Sequence, residues 1–295
     1  MPATLSQRVV VIVRTKGRPR LLQRALSSIG RQSFTGFAVV VVYDGPTDPA
    51  SLEIVMSAQR RGMALRLIEQ PPGLGIEAAS NAGIAATQSD YIAIHDDDDT
   101  WAPDFLEACV DLLTSAPKFG GAITHCFRVI EEITAEDIRE LQRVPLWTRL
   151  RAVSLLDLAM ENLFPPISFL IKRSIYDTIG GFDEELRMLG DWDFNLRFLM
   201  TADIGVVPKP LASQHLRATV GTSDYANLLG GDALKYIEHS TILRNKYLRS
   251  IDSNHLAALG IIMGLSGAVN AASLTRPAST EISQPPNGVI TRARH

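Results

Sequence analysis

Two runs of β-branched residues limit what this chain can fold into. Residues 8–14, RVVVIVR, and 37–43, FAVVVVY, are continuous apolar stretches with no polar alternation. A strand with one face in water alternates, so these runs point to strands covered on both faces, as in a parallel sheet. Between them Leu21, Leu22, Ala25, Leu26 and Ile29 recur at helical spacing, with Pro19 near the start, where its fixed φ and missing N–H cost nothing. Asp44-Gly45-Pro46 then marks a turn. The alternation continues with a helix near 50–61, a strand near 65–69, a helix near 76–87 and a strand at 91–95. Repeated β-α units predict an α/β fold with a doubly wound parallel sheet over the first hundred residues.

Beyond Asp96 the spacing predicts helices near 103–115, from 191 to about 200 and at 226–248, and strands near 122–129 and 168–172. Residues 131–165 carry no assignable pattern. Residues 256–274 hold no charge, but Ser266, Asn270, Ser273 and three glycines dilute their hydropathy. The segment reads either as a membrane-interface contact or as a helix packed on the domain or on a second copy of the chain, which would make a homodimer. The organisation expected is one domain over 1–225, a helical extension over 226–275 and a disordered tail, rich in Pro, Ser and Thr, over 276–295.

The 295 residues suffice for a substantial core. With 29 Lys plus Arg against 32 Asp plus Glu, the net charge of −3 gives no field to draw the chain onto nucleic acid, so no nucleic-acid partner is expected. Cys109 and Cys126 are too few for a disulfide framework, and the N-terminus MPATLSQR lacks the apolar region of a secretory signal. Both fit a cytoplasmic setting, peripheral to the inner membrane face if 256–274 touches it.

The densest chemistry is HDDDDTW, residues 95–101, at the end of a predicted strand. In open parallel sheets ligands bind at the carboxyl ends of strands. Four successive carboxylates repel one another unless a cation relieves them, and all-oxygen ligands suit Mg²⁺ or Mn²⁺. In an extended segment Asp96 and Asp98 share one side while Asp97 and Asp99 face elsewhere. A plainer reading is an acidic turn in which Asp99 or Thr100 caps the following helix.

Four segments in order resemble glycosyltransferase family 2: VVVIVRTKGRPRLLQRALSSIGRQSF, VVVVYDGPTD, NAGIAATQSDYIAIHDDDDTWAPDFL and GGFDEELRMLGDWDFNLR. The resemblance covers about the first 225 residues. It implies a GT-A fold, Rossmann-like with a mostly parallel central sheet flanked by helices, whose first hundred residues bind the nucleotide-sugar and whose 101–225 half faces the acceptor. It also implies an inverting transferase acting in polysaccharide or glycoconjugate assembly. Its donor would be a nucleotide-diphospho-sugar, a UDP-sugar foremost, its acceptor a saccharide or glycoconjugate hydroxyl, and its cofactor Mg²⁺ or Mn²⁺.

By the same resemblance Asp44 contacts the nucleotide base, with Tyr43 in place of a first aspartate, and Thr15 and Arg18 border the nucleotide. Asp96 contacts ribose or donor sugar, with Asp97 the competing choice, and Asp98 binds the metal, joined by His215. Arg217 is an alternative contact for the leaving diphosphate, and His95 reads as a packed residue. Asp191 matches the general base, with Asp193 behind it; burial beside Trp192 would raise its pKa. The chain departs from the pattern at Ser80, where a cation is usual, and at Gly190, where a glutamate is usual. Two other functions fit parts of the sequence: a metal-dependent phosphohydrolase or nucleotidyltransferase, which needs no acceptor-side base, and a nucleotide-sugar-binding protein with weak or no catalysis.

Overall fold

The two β-branched runs become neighbouring parallel strands at the centre of one sheet. The computed structural model describes residues 5–186, 188–218 and 233–249. In chain order the elements are β1 (Leu5–Ser6), β2 (Val9–Thr15), α1 (Pro19–Ile29), β3 (Phe37–Asp44), α2 (Pro49–Arg60), β4 (Leu65–Gln70), α3 (Ile76–Ala85), β5 (Thr87–Gln88), β6 (Tyr91–Asp96), β7 (Thr100–Trp101), α4 (Phe105–Ser115), β8 (Gly121–Ile133), β9 (Ile138–Leu146), α5 (Leu155–Met160), a 3-10 turn (Pro166–Ser168), β10 (Phe169–Lys172), α6 (Arg173–Ile179), α7 (Gly190–Leu199), β11 (Ile204–Arg217) and α8 (Ala233–Arg249).

The main sheet runs β4-β3-β2-β6-β10-β8-β11-β7, with β9 paired to β8. Strands β4, β3, β2 and β6 are parallel. β10 enters antiparallel to both β6 and β8, and β11 runs parallel to β8. β2 has β3 on one side and β6 on the other, so the chain changes winding direction there. Such a switch point opens a crevice at the strands' carboxyl ends, and Thr15 and Asp96 stand on its two lips.

One side-chain set of the runs, Val9, Val11, Val13, Val39 and Val41, packs with Leu22 and Leu26 of α1, Val55 of α2 and Phe105 of α4. The opposite face is covered by α3, which approaches so closely that a Cβ on Gly83 would lie 2.7 Å from Ile12 Cγ2 and 3.0 Å from Val42 Cγ2. Only a glycine admits that approach. On β10, Phe169 meets Phe198 of α7 edge-on, ring centroids 5.1 Å apart.

Two regions differ from the sequence expectation. Residues 131–165 contain β9, which is exposed along almost its whole length and so has no buried face to impose a period. β11 follows α7 for 14 residues, but Pro208 and Pro210 interrupt it and the register slips on either side of Pro210, because proline cannot donate to the ladder. The chain divides into two units, residues 1–240 and 241–295, with the boundary inside α8. The expected segments 256–274 and 276–295 lie outside the described residues.

Candidate active site

The aspartate run does not continue β6 but folds into a turn. Asp97 N–H donates to Arg14 O at 3.2 Å and Asp99 N–H returns to Asp96 O at 3.2 Å. The turn overrides strict alternation, and Asp99 comes back to the side of Asp96 and Asp98. One carboxylate oxygen from each of these three lies within 4.8 Å of the others. Asp97 points to the other lip, where Thr15 Oγ1 donates to it at 2.6 Å and Arg18 Nε at 3.2 Å.

Guanidinium groups surround the turn. Arg14 holds Asp96 with Nε–Oδ1 and Nη2–Oδ2 contacts of 2.8 Å each and reaches Ser80 Oγ at 3.2 Å. The cation absent at position 80 is therefore present in space, delivered from β2. Arg18 Nη2 pairs with Asp97 and Nη1 meets Asp98 at 3.2 Å. Arg217 Nη2 donates to Asp98 at 2.6 Å, and Arg24 caps the Asp98 carbonyl. Burial tends to raise Asp96, but Arg14 outweighs it and holds its pKa below the usual carboxylate range. At Asp97 burial prevails over Arg18 and pushes the pKa up to about 6. Asp99 rises well above the ordinary range because of burial and the charges of Asp98 and Asp96.

His215, on β11, is tied to the turn rather than pointing out of it. Its amide donates to Asp99 Oδ1 at 2.9 Å, Nε2 lies 2.9 Å from Thr100 Oγ1, and Nδ1 lies 2.9 Å from Glu131 Oε2. Burial lowers its pKa. Glu131 also receives Arg24 at 2.6 Å and Arg217 at 2.9 Å. Burial opposes its ionisation, but the bonds from His215 and Arg24 win and bring it down to about 2. His95 is packed edge-on against Trp101, centroids 4.6 Å apart.

At the end of β3, Asp44 Oδ1 accepts the Gly73 amide at 2.8 Å and so braces the loop leading to α3. Tyr43 turns away and donates to Asp48 at 2.6 Å. Asp191 sits in the first turn of α7, half-buried, and accepts from Asn162 Nδ2 at 2.8 Å. Burial raises its pKa; Asn162 and Arg14 oppose the rise and Asp96 adds to it. A helix N-terminus alone would lower it. The preceding Leu189 adopts φ 65°, a left-handed conformation costing a leucine about 1–2 kcal/mol. Asp193 bonds instead to Arg197 at 2.8 Å, on its own helix. At Gly190, the space for a side chain is taken by Glu77 of α3.

Sequence reasoning passed over Arg14, Arg24, Glu131 and Glu77. Arg14 had a signal: an arginine near the carboxyl end of an otherwise apolar buried strand marks the point where that strand meets polar chemistry. Glu131 had none, since nothing in its local spacing announces that β11 returns beside it.

The convergence of Asp96, Asp98 and Asp99 fits a hard divalent cation, which takes oxygen ligands. Among the described residues no helix is long and apolar enough to cross a membrane. A family model described as glycosyl transferase family 2 matches residues 10–179, more than half of the chain. The chain belongs to glycosyltransferase family 2. Within the family it is 29% identical over 168 residues to the succinoglycan biosynthesis protein ExoW of Rhizobium meliloti, covering 54% of this chain and 52% of ExoW. It is 25% identical over 192 residues to the uncharacterized glycosyltransferase YwdF of Bacillus subtilis, covering 64% and 67%. The chain thus spans about half of ExoW and about two thirds of YwdF. Its fold is similar to that of S. aureus TarS 1-349 in complex with UDP-GlcNAc (TM-score 0.64, 19% identity, 84% of this chain and 69% of that one). It is also similar to the mannosyltransferase PcManGT of Pyrobaculum calidifontis with GDP-Man and Mn²⁺ (TM-score 0.52, 21% identity, 72% and 57%). These likenesses show the GT-A architecture: a mostly parallel sheet flanked by helices.

Proposed function

We propose that this family 2 protein is an inverting glycosyltransferase that moves a sugar from a nucleotide-diphospho-sugar to a saccharide hydroxyl during polysaccharide or glycoconjugate assembly. One observation carries the reading. Arg14 bonds both Asp96 and, on α3, Ser80, and Glu77 of the same helix packs against Gly190, the neighbour of Asp191; with the charge interactions of Asp191 with Arg14 and Asp96, this supports an acceptor-side base beside the aspartate turn.

Asp191, its pKa raised, accepts the proton of the attacking hydroxyl as the new bond forms. Asn162 fixes the orientation of its carboxylate. Asp98, with Asp96 and Asp99 beside it, would hold a divalent cation, which when bound would supply Lewis-acid neutralisation of charge on the departing nucleoside diphosphate. Thr15, Arg18 and Asp97 line the nucleotide side, and Asp44 at the end of β3 receives the base. His215, bonded through both ring nitrogens to Thr100 and Glu131 and through its amide to Asp99, fixes the turn that would hold the ion. The succinoglycan biosynthesis relative supports the pathway class, and the structural neighbours in complex with UDP-GlcNAc and with GDP-Man support the donor class.

The test is a thermal-shift panel of UDP-, GDP- and TDP-sugars with Mn²⁺, where a ligand at 100 times its Kd stabilises by about 2.7 kcal/mol. Stabilisation by one nucleotide class is expected. Release of inorganic phosphate from simple nucleotides, with no sugar-nucleotide effect, would point to a phosphohydrolase instead.

A further inference from the structure

Glu77 sits in the first turn of α3 and is 5% exposed. Its carboxylate extends to the first turn of α7. A Cβ built on Gly190 would collide with Glu77 Oε1 and lie 2.6 Å from its Cγ and 2.8 Å from its Cδ. Glycine at 190 is therefore what admits this carboxylate beside Asp191. Arg14, which also reaches Ser80 one turn along α3, and Asp191, next to Gly190, both act on it electrostatically, so it borders the same group of side chains. Burying a carboxylate is costly unless hydrogen bonds compensate it. Among the described residues, none outside Glu77 itself donates to it. Burial leaves its pKa pushed up to about 7, with Arg14 the largest opposing influence.

Such a carboxylate is compensated either by keeping its proton or by a ligand that donates to it. The ligand is not the donor's diphosphate, because Glu77, Asp191 and Asp96 would repel that anion. It is a neutral, hydroxyl-bearing molecule on the Asp191 side. We infer that Glu77 is an acceptor-binding carboxylate, accepting a hydrogen bond from a hydroxyl that neighbours the one Asp191 deprotonates. The inference rests on the transferase reading and adds a residue to its acceptor side. Glu77 delivers from α3 a carboxylate that α7 itself lacks at position 190.

The geometry supplies its own test, because Glu77 ends in a flexible arm and a methyl group at 190 displaces that arm without disturbing backbone. The 295-residue chain is assayed with Mn²⁺, the best sugar-nucleotide of the panel above, and a set of methyl glycosides as acceptors. Glu77→Ala and Gly190→Ala are expected to raise the acceptor KM about ten-fold or more, the scale of a lost hydrogen bond to a charged group, while the thermal shift given by donor is kept. The double variant Glu77→Ala/Gly190→Glu, which rebuilds the carboxylate from α7, is expected to recover most of that loss; a packing role for Glu77 predicts no such rescue. Unchanged acceptor KM in both single variants, with donor binding intact, overturns the Glu77 assignment and leaves the transferase reading standing. A wild type that binds no sugar-nucleotide, or binds one and glycosylates none of the glycosides, overturns both.

Discussion

Arg14 and Asp96 stand in register on adjacent parallel strands and close a two-pronged ion pair, 2.8 Å at each contact, at the point where the sheet changes winding direction. The arginine is buried and the aspartate side chain 30% exposed. Removing one partner leaves the other poorly compensated, whereas removing both removes the conflict. Arg14→Met is expected to cost about 2 kcal/mol, the upper range being discounted for the exposure of Asp96. Arg14→Met/Asp96→Asn should be destabilised by about 1 kcal/mol less than the sum of the single changes. Urea unfolding of the four proteins checks this; strict additivity would contradict it.

Asp98 is predicted to carry the cation's effect on donor binding. In wild type, Mn²⁺ should increase the thermal stabilisation given by the preferred sugar-nucleotide; in Asp98→Asn that increase should vanish. His215→Ala should weaken it less, because both ring nitrogens of His215 already meet protein partners. Equal stabilisation with and without Mn²⁺ in wild type would remove the metal from the account.

Stability should fall with rising pH on account of Glu77. Its folded pKa, about 7, exceeds the ordinary 4.5, so the folded state holds its proton longer than the unfolded chain. The contribution is fully present below both values, declines as the unfolded chain ionises, and is fully lost above the folded pKa. The scale is up to about 3 kcal/mol. Arg14 opposes this shift, while Asp191 and Asp96 add to it. Between pH 4 and pH 8 the stability of Glu77→Gln should therefore gain on wild type by 2–3 kcal/mol in urea unfolding, on the same scale. A constant difference would contradict the burial argument.

Glu131 ties β8 to β11 through His215 and Arg217 and to α1 through Arg24. Glu131→Ala leaves these groups uncompensated in a mostly buried setting, and a loss of about 3 kcal/mol is expected. His215 should then titrate still further below its ordinary pKa, as followed by NMR, because Glu131 is what opposes burial there. A loss under about 0.5 kcal/mol, the range of ordinary surface changes, would show the network to be incidental.

Much of the first hundred residues was legible because burial on both faces writes itself into continuous apolar runs: Val9–Val13 and Phe37–Tyr43 leave few alternatives. The aspartate run announced the crevice by its improbability at a strand end. What could not be read were features set by contacts distant in sequence. β11 hides behind Pro208 and Pro210, and β9 has no buried face to impose a pattern. Glu77 carries no signal in the sequence and Gly190 shows only a departure from the family pattern, and their adjacency in space alone joins them. The turn at Asp97–Asp99 likewise defeats a two-residue period through one backbone hydrogen bond, Asp99 N–H to Asp96 O.

The central claim is that a cation-held sugar donor lies within reach of Asp191. Its most direct measurement is transfer from the preferred α-linked sugar-nucleotide, following the product's anomeric configuration by NMR in wild type and Asp191→Asn. A β-linked product is predicted, with a loss of about 10²–10⁴-fold in kcat for the variant, the usual contribution of general-base catalysis, and unaltered donor binding. An α-linked product, or a variant that transfers at the wild-type rate, would contradict it.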